Sequence, residues 1–191
     1  DIPGVEPPKK FPDTLTVQFE KVQDLRYGEN PHQAAAFYRC RTIGKGRLTD
    51  ARQIQGKELS YNNILDLNSA LTIVEEFHEP AAVIIKHNNP CGVAVSKDGI
   101  LPAYLKAYAC DKTSAFGGVV SFNRTVTKDA AEALGKIFLE AIIAPNFDEK
   151  AVKILGAKKN LRLIEMGGFT PGRKDDGDMC MDMKKVSGGV L

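Results

Sequence analysis

A lysine and a histidine stand side by side where a short apolar run ends: 81–85 reads AAVII and is followed by Lys86-His87-Asn88-Asn89-Pro90-Cys91-Gly92. The run is rich in branched residues and has the length of a strand covered on both faces. Pro90 and Gly92 read as the turn that stops it. In open α/β sheets ligands lie beyond the carboxyl ends of the strands, which makes the pair a candidate for chemistry. Within a strand the two side chains would point to opposite faces, so only the turn lets both serve one pocket. An ammonium beside an imidazole favours the neutral ring, the form that takes a proton. Taken alone, the pair reads first as a surface lysine and a hydrogen-bonded histidine in a capping turn.

Two further segments carry polar groups at turns. Residues 25–33, LRYGENPHQ, gather Arg26, Tyr27, Asn30 and His32 around Gly28 and Pro31, a composition too polar and turn-like for a helix or core strand. A guanidinium pairs with phosphate in a planar, bidentate fashion and a glycine lets backbone approach a ligand, so the segment suits an anion or nucleotide. Polar composition by itself gives only a solvated loop. Residues 113–118, TSAFGG, lead one aromatic, Phe116, into the apolar run 119–122. The plain reading of that segment is a tight entry into a strand.

The elements that must position these groups alternate along the chain. Asn63 can cap a helix with Leu67, Leu71, Val74 and Phe77 on one face, ending before Pro80. The strand 81–85 follows, then a helix over 101–110, a strand over 119–122, a helix from an N-cap at Thr127 through 138, and a strand over 141–144. Asp148 caps a fourth helix through Gly156, and 161–165 is again a strand. Such alternation predicts an α/β fold with a largely parallel sheet between two helix layers. The tail 173–185 is charged and reads as a loop, with 181–186 a possible edge strand.

Composition sets the class. A chain of 191 residues with net charge +2 can bury a sizeable core, and its balanced charge argues against a nucleic-acid surface or an acidic tail. No apolar run approaches the ~20 residues that span a bilayer, and no signal peptide heads the chain. A cytoplasmic setting is the expectation. The cysteines, Cys40, Cys91, Cys110 and Cys180, are scattered, so neither a disulfide framework nor a zinc ribbon is suggested.

In order, LRYGENPHQ, GKELSYNN, KHNNPCG, TSAFGG and EAIIAP resemble the transformylase part of the bifunctional purine biosynthesis enzymes, AICAR transformylase joined to IMP cyclohydrolase. The resemblance runs from about Leu15 to Leu191. It implies residues 15–191 as the first half of a transformylase, 1–14 (with Pro3, Pro7, Pro8 and Pro12) as an interdomain linker, and the cyclohydrolase and second transformylase half as lying outside this chain. The implied fold is three-layer α/β/α, cytidine-deaminase-like, with a mixed, largely parallel sheet. The implied activity is transfer of a formyl group from 10-formyltetrahydrofolate, as co-substrate, to the 5-amino group of AICAR, giving FAICAR, which the cyclohydrolase closes to IMP. By the same resemblance His87 is the base, Lys86 stabilises the transition state, and Arg26 and Tyr27 bind AICAR. Gly117 would make a backbone contact and Glu140 would bind the nucleotide at a ribose hydroxyl. Phe116 would pack near the base and reads equally as a core aromatic; the plain reading of Glu140 is a solvated helix end, and the functional one is favoured there. Asn62 and Asn63 read as helix cap rather than ligand contacts, and Cys91 as a small buried residue rather than a nucleophile. The family implies a homodimer with the active site at its interface. With the second half absent, the alternative is a catalytically inert module that only binds nucleotide or dimerises.

The deaminase likeness raises a rival chemistry. Zinc deaminases need His-x-Glu and Pro-Cys-x-x-Cys. Here Pro90-Cys91 is followed by Gly92-Val93-Ala94, and His32, His78 and His87 each lack a Glu two residues on. His87 and Cys91 could supply two ligands at most, so no zinc is expected.

Overall fold

A computed structural model describes residues 11–40, 47–169 and 183–191. Six strands form the central sheet: β3 (Arg52–Gln55), β4 (Ala81–Lys86), β5 (Asn89–Val95), β6 (Val119–Phe122), β7 (Ala141–Ala144) and β8 (Arg162–Glu165), in the order β3-β8-β7-β6-β4-β5. β6, β7 and β8 pair in parallel, while β4 is antiparallel to both β5 and β6, and β3 to β8. Four of the six strands, β5 to β8, therefore run one way, giving the mixed, largely parallel sheet that the alternation predicts.

The side-chain alternation of the buried strands builds two cores, one on each face. On one face Ala81, Val83, Ile85, Ile143 and Ile164 pack against Leu67, Ala70, Leu71 and Val74 of α1 (Tyr61–Glu75). On the other, Ala82, Ile84, Val120, Ile142 and Leu163 meet α2 (Ile100–Cys110), α4 (Lys128–Leu134) and α5 (Glu149–Leu155). The result is a three-layer α/β/α arrangement. Between α2 and β6 lies a single short turn of helix, α3 (Lys112–Ala115).

Local details depart from the sequence reading at several points. Ser60, not Asn63, is the N-cap of α1; its hydroxyl accepts from the Asn63 N–H at 3.2 Å, and the Asn63 side chain accepts from the Ser60 N–H at 3.1 Å, a reciprocal capping box. Thr127 does cap α4, but that helix stops at Leu134 with Gly135 as C-cap, short of residue 138. Asp148 holds the N-cap position of α5 without a side-chain capping bond.

The largest departure is at Pro90 and Gly92. They do not end the structure after β4; they lie inside β5, which returns antiparallel from a two-residue turn at His87-Asn88. Pro90 is tolerated because β5 is the outer strand of the sheet. The register steps from Ile84↔Gly92 to Ile85↔Pro90, leaving Cys91 as the extra residue of a bulge.

Two hairpins stand apart from the central sheet. β1 (Phe19–Leu25) and β2 (Ala35–Cys40) flank the loop that carries Arg26 and Tyr27. β9 (Lys185–Val186) and β10 (Gly189–Val190) pair with each other, so the strand expected near 181–186 does not join the main sheet. Most of the charged tail, Cys180, and residues 1–10 of the expected linker lie outside the described residues. Among the described residues, no helix is long and apolar enough to cross a membrane.

Candidate active site

The antiparallel direction of β4 decides where a site can form. The carboxyl end of β4 lies beside the amino ends of β6, β7 and β8, since Ile85 pairs with Val119 while Val119 and Ala141 lead their strands in parallel. Lys86 therefore meets residues that precede strands: Gly117 before β6, Glu140 before β7, and Arg162 at the start of β8. A cleft of about 760 Å³ opens along this edge, a volume within the usual range for small-molecule sites. The sequence expectation of a site beyond a strand's carboxyl end holds for β4 and for β3, which is antiparallel to β8 and leads into Lys57 and Glu58 of the cleft, but not for β5 to β8.

Of the residues singled out from the sequence, Arg26, Tyr27, Lys86, His87, Gly117 and Glu140 all line this cleft. Arg26 and Tyr27 come from the β1–β2 loop, which closes on itself through the Gly28 N–H to Gln33 O bond of 2.8 Å and the Asn30 N–H to Gln33 Oε1 bond of 2.8 Å. The glycine expected to admit a ligand is instead buried against its own loop, where a Cβ would lie 2.9 Å from the Gln33 Cβ. The Arg26 guanidinium sits 5.1 Å from the centre of the Tyr27 ring.

Lys86 is the last residue of β4 and His87 the first of the turn, so both reach the cleft, as the end of a strand permits. The Lys86 ammonium donates to the Phe116 carbonyl at 2.8 Å. His87 and Asn88 have φ of 52° and 61°, the left-handed pair required by the tightest hairpin turns and costly, at about 1 kcal/mol or more each, for residues other than glycine. Helix α1 compensates. The Asn88 N–H donates to Asp66 Oδ1 at 2.7 Å, and the Ser69 hydroxyl donates to Asn88 Oδ1.

Gly117 has φ of 78° and donates its N–H to the Phe138 carbonyl at 2.8 Å, so a glycine is needed to turn the chain from α3 into β6. Phe116 is not a core aromatic. It is 59% exposed, and its ring packs on Phe138 with centroids 5.5 Å apart. Its carbonyl holds Lys86. Ahead of it, hydrogen bonding from the Ser114 side chain, and then from its N–H, holds the Asp111 carboxyl below its usual 3.8, and the N–H bond caps α3.

Glu140 is not a solvated helix end. Its carboxylate takes the Arg162 Nη1 at 2.7 Å, and Arg162 Nε also donates to the Glu58 carbonyl at 3.1 Å. Arg162 itself is nearly buried, its side chain 12% exposed. Sequence reading passed over Arg162 as the start of a strand, and Asp66 as one polar residue on an amphipathic helix. The signal for Asp66 and Ser69 was their spacing of three, which puts both on one helix face. Asn62 and Asn63 line the cleft as well, Asn63 while serving the capping box. Arg26, Lys57, Lys86 and Arg162 outnumber Glu58, Asp66 and Glu140 among the described lining residues, a balance that suits an anionic ligand.

Cys91 packs against the core beneath α2, and partial burial pushes its thiol up, away from the thiolate a nucleophile needs. Among the described residues, no group of three or more His, Cys, Asp or Glu side chains could hold a metal ion.

Comparison with known proteins follows the same lines. The chain is 53% identical over 185 residues to the Bifunctional purine biosynthesis protein PurH of Caldicellulosiruptor saccharolyticus, covering 96% of this chain and 35% of that protein. It is 52% identical over 182 residues to the protein of the same name from Acetivibrio thermocellus, covering 95% and 35%. The chain thus spans about a third of the length of these curated relatives. A solved structure of RibD from Acinetobacter baumannii overlaps it with a TM-score of 0.37 at 16% identity, over 52% of this chain and 33% of that one. Residues 4–191 match the family model described as AICARFT/IMPCHase bienzyme, and with relatives more than half identical across nearly its whole length, the chain belongs to that family.

Proposed function

We propose that residues 15–191 form the first half of an AICAR transformylase, with 1–14 as an interdomain linker. In the whole protein this half would help transfer a formyl group from 10-formyltetrahydrofolate to the 5-amino group of AICAR, a step of purine biosynthesis, with the cyclohydrolase part closing the product to IMP. One observation carries the reading: Arg26, Tyr27, Lys86, His87, Gly117 and Glu140, far apart in sequence, face one cleft.

The amine of AICAR is a poor nucleophile, because its lone pair is delocalised into the imidazole ring and carboxamide. Attack on the formyl carbon needs a base for the amine proton and a positive group for the charge growing on the formyl oxygen. His87 takes the proton. Lys86, aimed by the Phe116 carbonyl, faces the oxygen. The new C–N bond forms as the bond to folate N10 breaks, and the proton passes on to that nitrogen. Arg26 stacked on Tyr27 takes the phosphate, and Glu140, oriented by Arg162, accepts from a ribose hydroxyl. The folate site and the rest of the pocket would come from the second half and from a dimer partner.

The test is His87→Ala in the protein of full family length. Loss of a general base lowers turnover by roughly 10²- to 10⁴-fold, with AICAR binding changed far less. Near-normal turnover would refute the assignment. The chain's coverage of only 35% of its relatives favours a second reading for these 191 residues alone, a nucleotide-binding or dimerisation module that does not catalyse. Calorimetry on the 191-residue chain should then find AICAR binding without formyl transfer, and robust turnover would overturn the second reading.

A further inference from the structure

We infer that Asp66, assisted by Ser69, is the positioning residue that aims His87, an inference that rests on His87 acting as the base. The turn that presents the imidazole is two residues long, with both residues left-handed, and neither is glycine. Such a turn keeps one geometry only where its surroundings over-determine it. The surroundings here are α1. Its Asp66 carboxylate accepts from the Asn88 N–H, next to His87, and its Ser69 hydroxyl donates to the Asn88 side-chain oxygen, while the Asn89 amide donates to the His87 carbonyl at 2.9 Å.

The helix is a rigid anchor. Leu67 and Ala70, which alternate with the two polar residues, are wholly buried against the sheet, and the capping box fixes the first turn. Asp66 also lines the cleft, so its carboxylate sits at the site and ties the catalytic turn from within. Nothing in this arrangement requires Asp66 to touch a substrate. Its effect should pass through His87, and appear in the chemical step rather than in AICAR binding.

The experiment is a double-mutant cycle in the full-length protein, with kcat and the KM for AICAR measured for Asp66→Ala, His87→Ala and the pair. Displacing a reacting group by about 1 Å costs up to roughly 10²-fold in rate, so Asp66→Ala should lower kcat by about ten- to a hundredfold with KM changed by less than about threefold. Asp66→Asn keeps an oxygen for the Asn88 N–H and should recover most of the loss. In the His87→Ala background, Asp66→Ala should cost nothing more, because groups that act as a unit are not additive. A full kcat in Asp66→Ala, or an equal further loss without His87, overturns the inference. If Asp66→Ala does not fold, Ser69→Ala removes the second tie and should lower kcat by roughly three- to tenfold; an unchanged kcat there overturns the inference as well. Turnover surviving in His87→Ala refutes the reading of the site itself, whereas loss there with none in Asp66→Ala refutes only the role of Asp66.

Discussion

Gly92→Ala tests the packing that carries the Lys86-His87 hairpin. A Cβ at this position would lie 2.0 Å from the Ala107 carbonyl oxygen, 2.8 Å from its carbon and 3.2 Å from the Cys110 Cβ. An ordinary contact between carbon and a carbonyl oxygen is about 3.3 Å, so β5 and α2 must part by over ~1 Å. Both partners at the clash are backbone, and no rotamer change relieves it. Parting them loosens Ala103, Tyr104 and Ala107, which α2 buries against the sheet. The expected cost is about 3 kcal/mol, the upper part of the range for overpacking. For a chain of this size that lowers Tm by roughly 6–12 °C. The measurement is thermal and urea unfolding followed by circular dichroism, with Gly167→Ala as control, because a Cβ there meets nothing within 4 Å. The control should stay within about 0.5 kcal/mol of the parent. A Gly92→Ala protein as stable as the control would show that α2 does not seat on β5 this closely.

Asn123→Ala should cost about 3 kcal/mol or more in the same assay, because the nearly buried Asn123 amide accepts from the Ala81 N–H at 2.8 Å and donates to the Phe77 and Glu79 carbonyls at 2.8 and 2.7 Å, leaving three backbone groups unpaired; a loss under ~1 kcal/mol would refute that accounting. Burial pushes the Tyr104 hydroxyl up from 10.0 to about 12, so the unfolded chain loses this proton first and stability should fall as pH rises from 10 to about 12. Tyr104→Phe should flatten that decline at little cost, since the buried hydroxyl finds no hydrogen-bond partner among the described residues; an unchanged alkaline decline counts against the assignment. Arg162→Met should raise the KM for AICAR in the full-length protein more than it lowers kcat, because it frees the Glu140 carboxylate from its 2.7 Å partner, and an unaltered KM would separate that pair from substrate binding. A chelator should leave turnover intact, and one tightly held zinc per chain by elemental analysis would revive deaminase-like chemistry.

The sequence by itself determined the parts whose pattern is local. The runs 81–85 and 141–144 are apolar throughout, 119–122 at all but Ser121, and 161–165 at three of five positions, because the sheet is covered on both faces, and the helices between them show an apolar stripe and, for α4, a threonine cap. That was enough for the layer architecture, and the ordered motifs, through the family they resemble, were enough to single out six residues that line the cleft, though not Arg162 or Asp66. Only the tertiary structure decided how the strands pair. β3 (RQIQ) and β5 (NPCGVAV) lie at the sheet's edges, where exposure removes the apolar signal and Pro and Gly are admitted, so neither was legible as a strand. Strand direction is likewise a non-local property. With β4 antiparallel, its carboxyl end meets the amino ends of β6 to β8, and this alone brings Glu140 and Arg162 to Lys86. The same holds for Asp66 and Ser69, whose spacing marks one helix face but whose partner, the turn at His87-Asn88, is fixed only when α1 packs across β4.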